Sequence, residues 1–232
     1  MSLTRPSGAA SPLTIQRPSA PRLALVTGFG PFPGVDDNPT AAVVAVIDRL
    51  AGAEIAGAEI ARAEIVTAVL PVSWRRGPAA LLAALDAVRA DHGPPDVVLH
   101  LGVAVGADRL RVERLAAAAC RQALDVDGAL PDSTPSGAEA RFDVEALARH
   151  LVNADLPAAV SDDAGAYLCN AIFAAGLRWA GPHGALVAFL HVPMPGTPRP
   201  DGRVWQIADL VQAALTALSW LQAQAVAARG AR

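Results

Sequence analysis

The sequence predicts an α/β fold: a three-layer α/β/α single domain with a mostly parallel central sheet. Three observations carry this. Over the first half of the chain, apolar runs of strand length alternate with longer stretches of helical spacing, in the order strand, helix, strand, helix, strand. The run Val-Val-Leu-His-Leu at 97–101 shows no in-out alternation, as a strand covered on both faces of a parallel sheet requires. Finally, 53 % of the 232 residues are apolar, enough to bury a full core.

Taken in order, residues 1–22 mix Ser, Pro, Arg and Gln without an apolar h-region and read as a flexible tail, with the domain running from 23 to 232. Leu-Ala-Leu-Val-Thr at 23–27 reads as a central strand. A loop rich in turn formers follows at 28–34; then Asn38 caps a helix, with Pro39 at its first position and helical spacing over 41–50. The loop is neither Gly-x-Gly-x-x-Gly nor closed by Gly-Lys-Ser/Thr, so it does not read as a phosphate cradle. It holds two of the five phenylalanines, Phe29 and Phe32, which read either as walls of a small apolar pocket or as plugs of the core.

Residues 51–65 repeat a five-residue unit three times, a period matching neither helix nor strand. This reads as a local duplication at a connection, with Glu54, Glu59 and Glu64 solvated. Residues 65–70 form a strand stopped by Pro71, and 78–90 an amphipathic helix with Leu81, Leu82, Leu85 and Val88 on one face. After the strand at 97–101, a loop over 102–106 leads through Asp108, Arg109 and Arg111 to Glu113. Flanked by Arg111 and Arg114, Glu113 reads on its own as a solvated charge. A polar loop with a short hairpin is expected over 121–137, a helix over 142–151, a short strand over 157–160 and an irregular, proline-dense segment over 193–200. The last stretch, 205–226, reads as a long amphipathic helix; Gln206, Asp209, Gln212 and Gln222 make it too polar to span a membrane.

The chemistry gathers around Ser-Asp-Asp-Ala-Gly-Ala-Tyr-Leu-Cys-Asn at 161–170, which runs into helical spacing over 171–179. A cysteine just inside a helix start feels the positive end of the helix and its free N–H groups, which favour thiolate and can hold an oxyanion. The strand expected over 186–190 delivers His191 at its end. Cys169 and His191 are thus of the types that a thiol nucleophile and its base require; the competing reading of Cys169 is a small buried hydrophobe. The two cysteines, Cys120 and Cys169, are too few for a disulfide framework and suit a reducing, cytoplasmic setting. A net charge of −3 without a Lys/Arg run predicts no nucleic-acid partner. The sequence has no clustered Cys/His metal spacing, so neither metal nor cofactor is expected, and His92, His100, His150 and His183 read as surface or structural.

These motifs resemble pyroglutamyl peptidase type I, the pyrrolidone-carboxylate peptidase family of cysteine peptidases. The likeness runs from residue 23 onward: Thr-Gly-Phe-Gly-Pro-Phe-Pro-Gly at 27–34, Asn38-Pro39, Leu70-Pro71-Val72, Pro95-Asp96-Val97, the 161–170 motif and Leu190-His191-Val192-Pro193. The resemblance implies Cys169 as nucleophile, His191 as its base and Glu113 as the acid that orients the histidine. It further implies substrate contacts from Phe29, Phe32, Val103, Tyr167, Leu168 and Arg121, with the two phenylalanines lining a lactam pocket. Several positions depart from the family pattern. Val103 stands where a Gln commonly bonds the ring, Arg111 replaces Ser or Thr, Ala118 replaces Asn, and Ala123 replaces an Arg for which Arg121 can substitute. The implied activity is removal of N-terminal pyroglutamyl residues from blocked peptides through a thioacyl-enzyme, by a cytosolic homo-oligomer, a tetramer on the family pattern. Two other readings are a diverged cysteine amidase acting on another small acyl group, and a catalytically silent binding protein.

Overall fold

A computed structural model of the chain describes residues 22–51 and 63–230. Strand β1 (Arg22–Phe29) is followed by helix α1 (Pro39–Ala51) and by β2 (Ala63–Leu70), which pairs with β1 in parallel. Helix α2 (Arg76–His92) then leads to β3 (Val97–Val103) on the other side of β1. After β4 (Leu110–Glu113), the short strands β5 (Leu115–Ala116) and β6 (Ala138–Glu139) pair antiparallel and close a long loop between them. Helix α3 (Val144–Asn153), β7 (Ala158–Ser161), α4 (Leu168–His183), β8 (Leu186–Val192) and α5 (Ile207–Gly230) complete the chain. The main sheet has the order β2-β1-β3-β8-β4-β7; its one antiparallel pairing is β4 with β8.

Side chains alternate across the sheet with the two-residue period of a strand. Ala24, Val26, Leu99, Ala188 and Leu190 pack with α1, α3 and α5, while Leu25, Val98, Val187 and Phe189 pack with α2 and α4. Helices on both faces make the three expected layers. Helix α5 meets its face with Leu210, Ala213, Ala217 and Leu221, all buried at helical spacing. No described helix is long and apolar enough to cross a membrane. Gly28 permits the close seating of α1 on β1, because a Cβ there would lie 2.6 Å from the Thr40 carbonyl oxygen.

Several expectations are corrected. Leu82 does not join Leu81, Leu85 and Val88 in the core; it is 42 % exposed. Residues 110–113 form a strand where a connection was expected, and Glu113 is fully buried rather than solvated. The hairpin is formed by β5 and β6, which flank the 121–137 loop instead of lying within it. The tail expected over 1–22 lies outside the described residues except for Arg22, which opens β1. Most of the repeat, residues 52–62, also lies outside them. Its last glutamate, Glu64, is half-exposed on β2 and pairs with His92 at 2.7 Å.

Candidate active site

Cys169 is the second residue of α4. The approach to it is a chain of local hydrogen bonds. Asp163 N–H donates to Ser161 Oγ (3.2 Å) and Gly165 N–H to Asp163 Oδ1 (2.9 Å), with Gly165 at φ +77°, where a side chain would be strained. Tyr167 enters the helix from extended backbone without a side-chain cap. The first-turn N–H groups, Cys169 among them, precede the first intrahelical donor and are free for an anion. Asn170, fully buried, accepts from Ala117 N–H and donates to the Ala117 and Ala119 carbonyls at 2.8–3.0 Å, locking the loop after β5 to the helix start. Within the sequence it is only a motif letter; its anchoring role depends on a segment far away along the chain.

His191 lies in β8, one residue before the strand's end. Its Nδ1 donates to Glu113 Oε1 at 2.8 Å, across the β8–β4 pairing. Glu113 Oε2 has no hydrogen-bond partner among the described residues, so the carboxylate is committed to the imidazole. Burial of His191 disfavours its charged form. The negative charge of Cys169 and the Glu113 hydrogen bond outweigh it, raising the imidazole to about 9. The ring also packs on Phe189, 4.7 Å between centroids. Opposite it, Gly102 on β3 leaves room for the sulfur: a Cβ there would sit 3.0 Å from Cys169 Sγ and 2.7 Å from the Phe189 ring.

These groups open onto a cavity of about 320 Å³. Phe29, Phe32, Val103, Tyr167, Leu168, Cys169 and His191 all line it, and Glu113 stands behind His191. The phenylalanine loop is pinned by Asn38, whose Nδ2 donates to the Gly30 carbonyl, and by Thr40 Oγ1, which accepts from Phe29 N–H at 2.9 Å. Phe29 is both wall and plug, 2 % exposed, whereas Phe32 is only partly buried. Tyr167 donates its hydroxyl proton to the Leu124 carbonyl at 2.9 Å and meets Trp74 edge-on.

One expected contact is missing. Arg121 does not line the cavity: its N–H is tied to the Ala166 carbonyl and its side chain is exposed. Cys120 is only partly exposed, and burial pushes its thiol up. His100 is fully buried with its Nδ1 2.7 Å from Thr27 Oγ1, and burial lowers it to about 3, so it is a neutral core residue. No described cluster of His, Cys, Asp and Glu is arranged to hold a metal ion.

A thiol on a helix start, an imidazole beside it and a buried carboxylate behind that imidazole define the class as a cysteine hydrolase on an α/β sheet. Comparison with known sequences narrows it. The pyroglutamyl peptidase family model matches residues 22–201, and the chain belongs to that family. A pyrrolidone-carboxylate peptidase from Clavibacter michiganensis is 33 % identical over 215 residues, 83 % of this chain and 91 % of that one. One from Alkaliphilus oremlandii is 31 % identical, over 73 % of this chain and 77 % of its own. The solved pyrrolidone carboxyl peptidase of Thermococcus litoralis superposes with a TM-score of 0.73 at 26 % identity, covering 90 % of this chain and 96 % of that one.

Proposed function

We propose that the protein is a cysteine exopeptidase that removes N-terminal pyroglutamyl residues from peptides. The observation that carries the mechanism is the Glu113–His191 hydrogen bond at the wall of the cavity that Cys169 shares with Phe29 and Phe32. The pyroglutamyl ring enters between the two phenylalanines. The Cys169 thiolate attacks its exocyclic carbonyl carbon, and the oxyanion is held by first-turn N–H groups of α4. Arg121 does not line the cavity and is given no part in that step. As the C–N bond breaks, protonated His191 gives its proton to the leaving amine. Water then attacks the thioester, His191 takes its proton, and pyroglutamate leaves with the thiolate restored. Glu113 keeps the imidazole in the tautomer that serves both steps.

One observation favours the neighbouring reading of an amidase for another small acyl group. Val103, on the cavity wall, offers no hydrogen bond to a lactam, and loss of such a bond costs discrimination on the order of 10²-fold or more. A fluorogenic pyroglutamyl amide tests the choice. Release that is abolished by Cys169→Ala supports the peptidase; release only from other acyl amides supports the amidase; stoichiometric binding without release would refute both. A thiol nucleophile favours a reducing compartment, and we assign the enzyme to the cytoplasm on that basis. One domain over 23–232 and assembly as a homo-oligomer belong to the same reading, and sedimentation velocity measures the latter.

A further inference from the structure

Arg111 is the antiparallel register partner of His191. Directly opposed residues of neighbouring strands project from the same face of a sheet, so its side chain leaves β4 beside the imidazole, and it lines the cavity. The arginines on either side are occupied: Arg109 pairs with Asp108 at 2.9 Å, and Arg114 with Glu145 at 2.7 Å and Asp162 at 2.6 Å. Arg111 makes no ion pair with any described residue. The cavity wall carries one carboxylate, Asp163, whose Oδ1 accepts from Gly165 N–H instead.

The sheet order gives this cation a direction. Phe29 ends β1, Val103 ends β3, His191 is on β8 and Arg111 on β4, and those strands lie side by side in that order. Given the peptidase reading above, on which this inference rests, the acyl ring occupies the β1 side and the bond breaks at β8. The leaving nitrogen takes its proton from His191, so the leaving peptide lies toward β4. We propose that Arg111 is a specificity-determining residue that favours a carboxylate on the leaving peptide next to the scissile bond. That carboxylate is either an acidic side chain directly after the pyroglutamyl residue or the free terminus of a pyroglutamyl dipeptide.

The test compares kcat/KM within each variant, so any general loss cancels. One arm uses C-terminally amidated pyroglutamyl peptides with Glu, Gln or Lys after the ring; the other uses pyroglutamyl-alanine with and without its terminal amide. At low salt the acidic member of at least one pair is expected to lead its neutral match by about 3- to 10-fold, the arm identifying the source. The Lys peptide should trail Gln, and the lead should shrink as salt screens the charge. R111Q should bring the ratio to about 1, and R111K should keep most of it. Ratios near 1 in both arms of the natural protein, or a ratio unchanged in R111Q, would overturn the proposal. Pyroglutamyl aminomethylcoumarin carries no carboxylate. Failure to cleave it would overturn the peptidase reading itself, and this inference with it.

Discussion

Replacing Glu113 by Gln tests the buried acid with little change in shape. The side chain is fully buried, and its one hydrogen bond among the described residues is the 2.8 Å contact to His191 Nδ1. A hydrogen bond involving a charged group is worth about 1.5–3 kcal/mol, so losing it from the transition state, at about 1.4 kcal/mol per decade, lowers kcat/KM by about 10- to 150-fold. The loss deepens toward about 10⁴-fold if the new amide nitrogen donates to Nδ1. The imidazole proton then sits on the other nitrogen, which can no longer take a proton from the thiol. Glu113 also helps to hold His191 at about 9, so the alkaline limb of kcat/KM should move to lower pH in E113Q. Steady-state hydrolysis of pyroglutamyl aminomethylcoumarin from pH 6 to 10, with circular dichroism to verify folding, reads both effects. A folded E113Q within about 3-fold of the natural protein, with an unmoved alkaline limb, would refute the assigned role.

Iodoacetamide near neutral pH should modify Cys169 at least about 10-fold faster than Cys120, whose thiol is pushed up by burial; peptide mapping reads the two rates, and equal slow labelling would count against an activated nucleophile. Gly102→Ala forces a methyl to 2.7 Å from the Phe189 ring and 3.0 Å from Cys169 Sγ, so kcat/KM should fall about 10²-fold and stability by about 1–3 kcal/mol in urea melts. His191, raised from an ordinary 6.5 to about 9, contributes stability that is fully present below pH 6.5 and lost as pH rises through about 9. The urea midpoint should therefore decline across that window in the natural protein, with a flatter profile in His191→Ala.

The layered architecture is legible because the core strands β1, β3 and β8 are largely apolar runs and the helices keep their own period. The strand at 110–113 is not legible in the sequence because Leu-Arg-Val-Glu is short and half charged, and its place is set by pairing with β7 and β8 rather than by composition. Glu113 shows the same limit: its burial follows from a partner 78 residues away, which no local pattern reveals. Cys169 and His191 stood out since helix start and strand end are local properties. Phe29 was legible only as a choice between wall and plug, and the structure makes it both. Arg121 does not line the cavity, and spacing along a loop does not by itself put a residue on a cavity wall. Asn170 is the converse, a residue whose contacts to Ala117 and Ala119 exist only once the loop after β5 has folded onto α4.

Acid-quenching the enzyme during turnover of a pyroglutamyl peptide, followed by mass spectrometry of its fragments, probes the covalent step itself. A pyroglutamyl increment on the fragment containing Cys169, absent from every other fragment and lost in Cys169→Ala together with activity, is the expected result. Turnover that persists in Cys169→Ala would contradict the account.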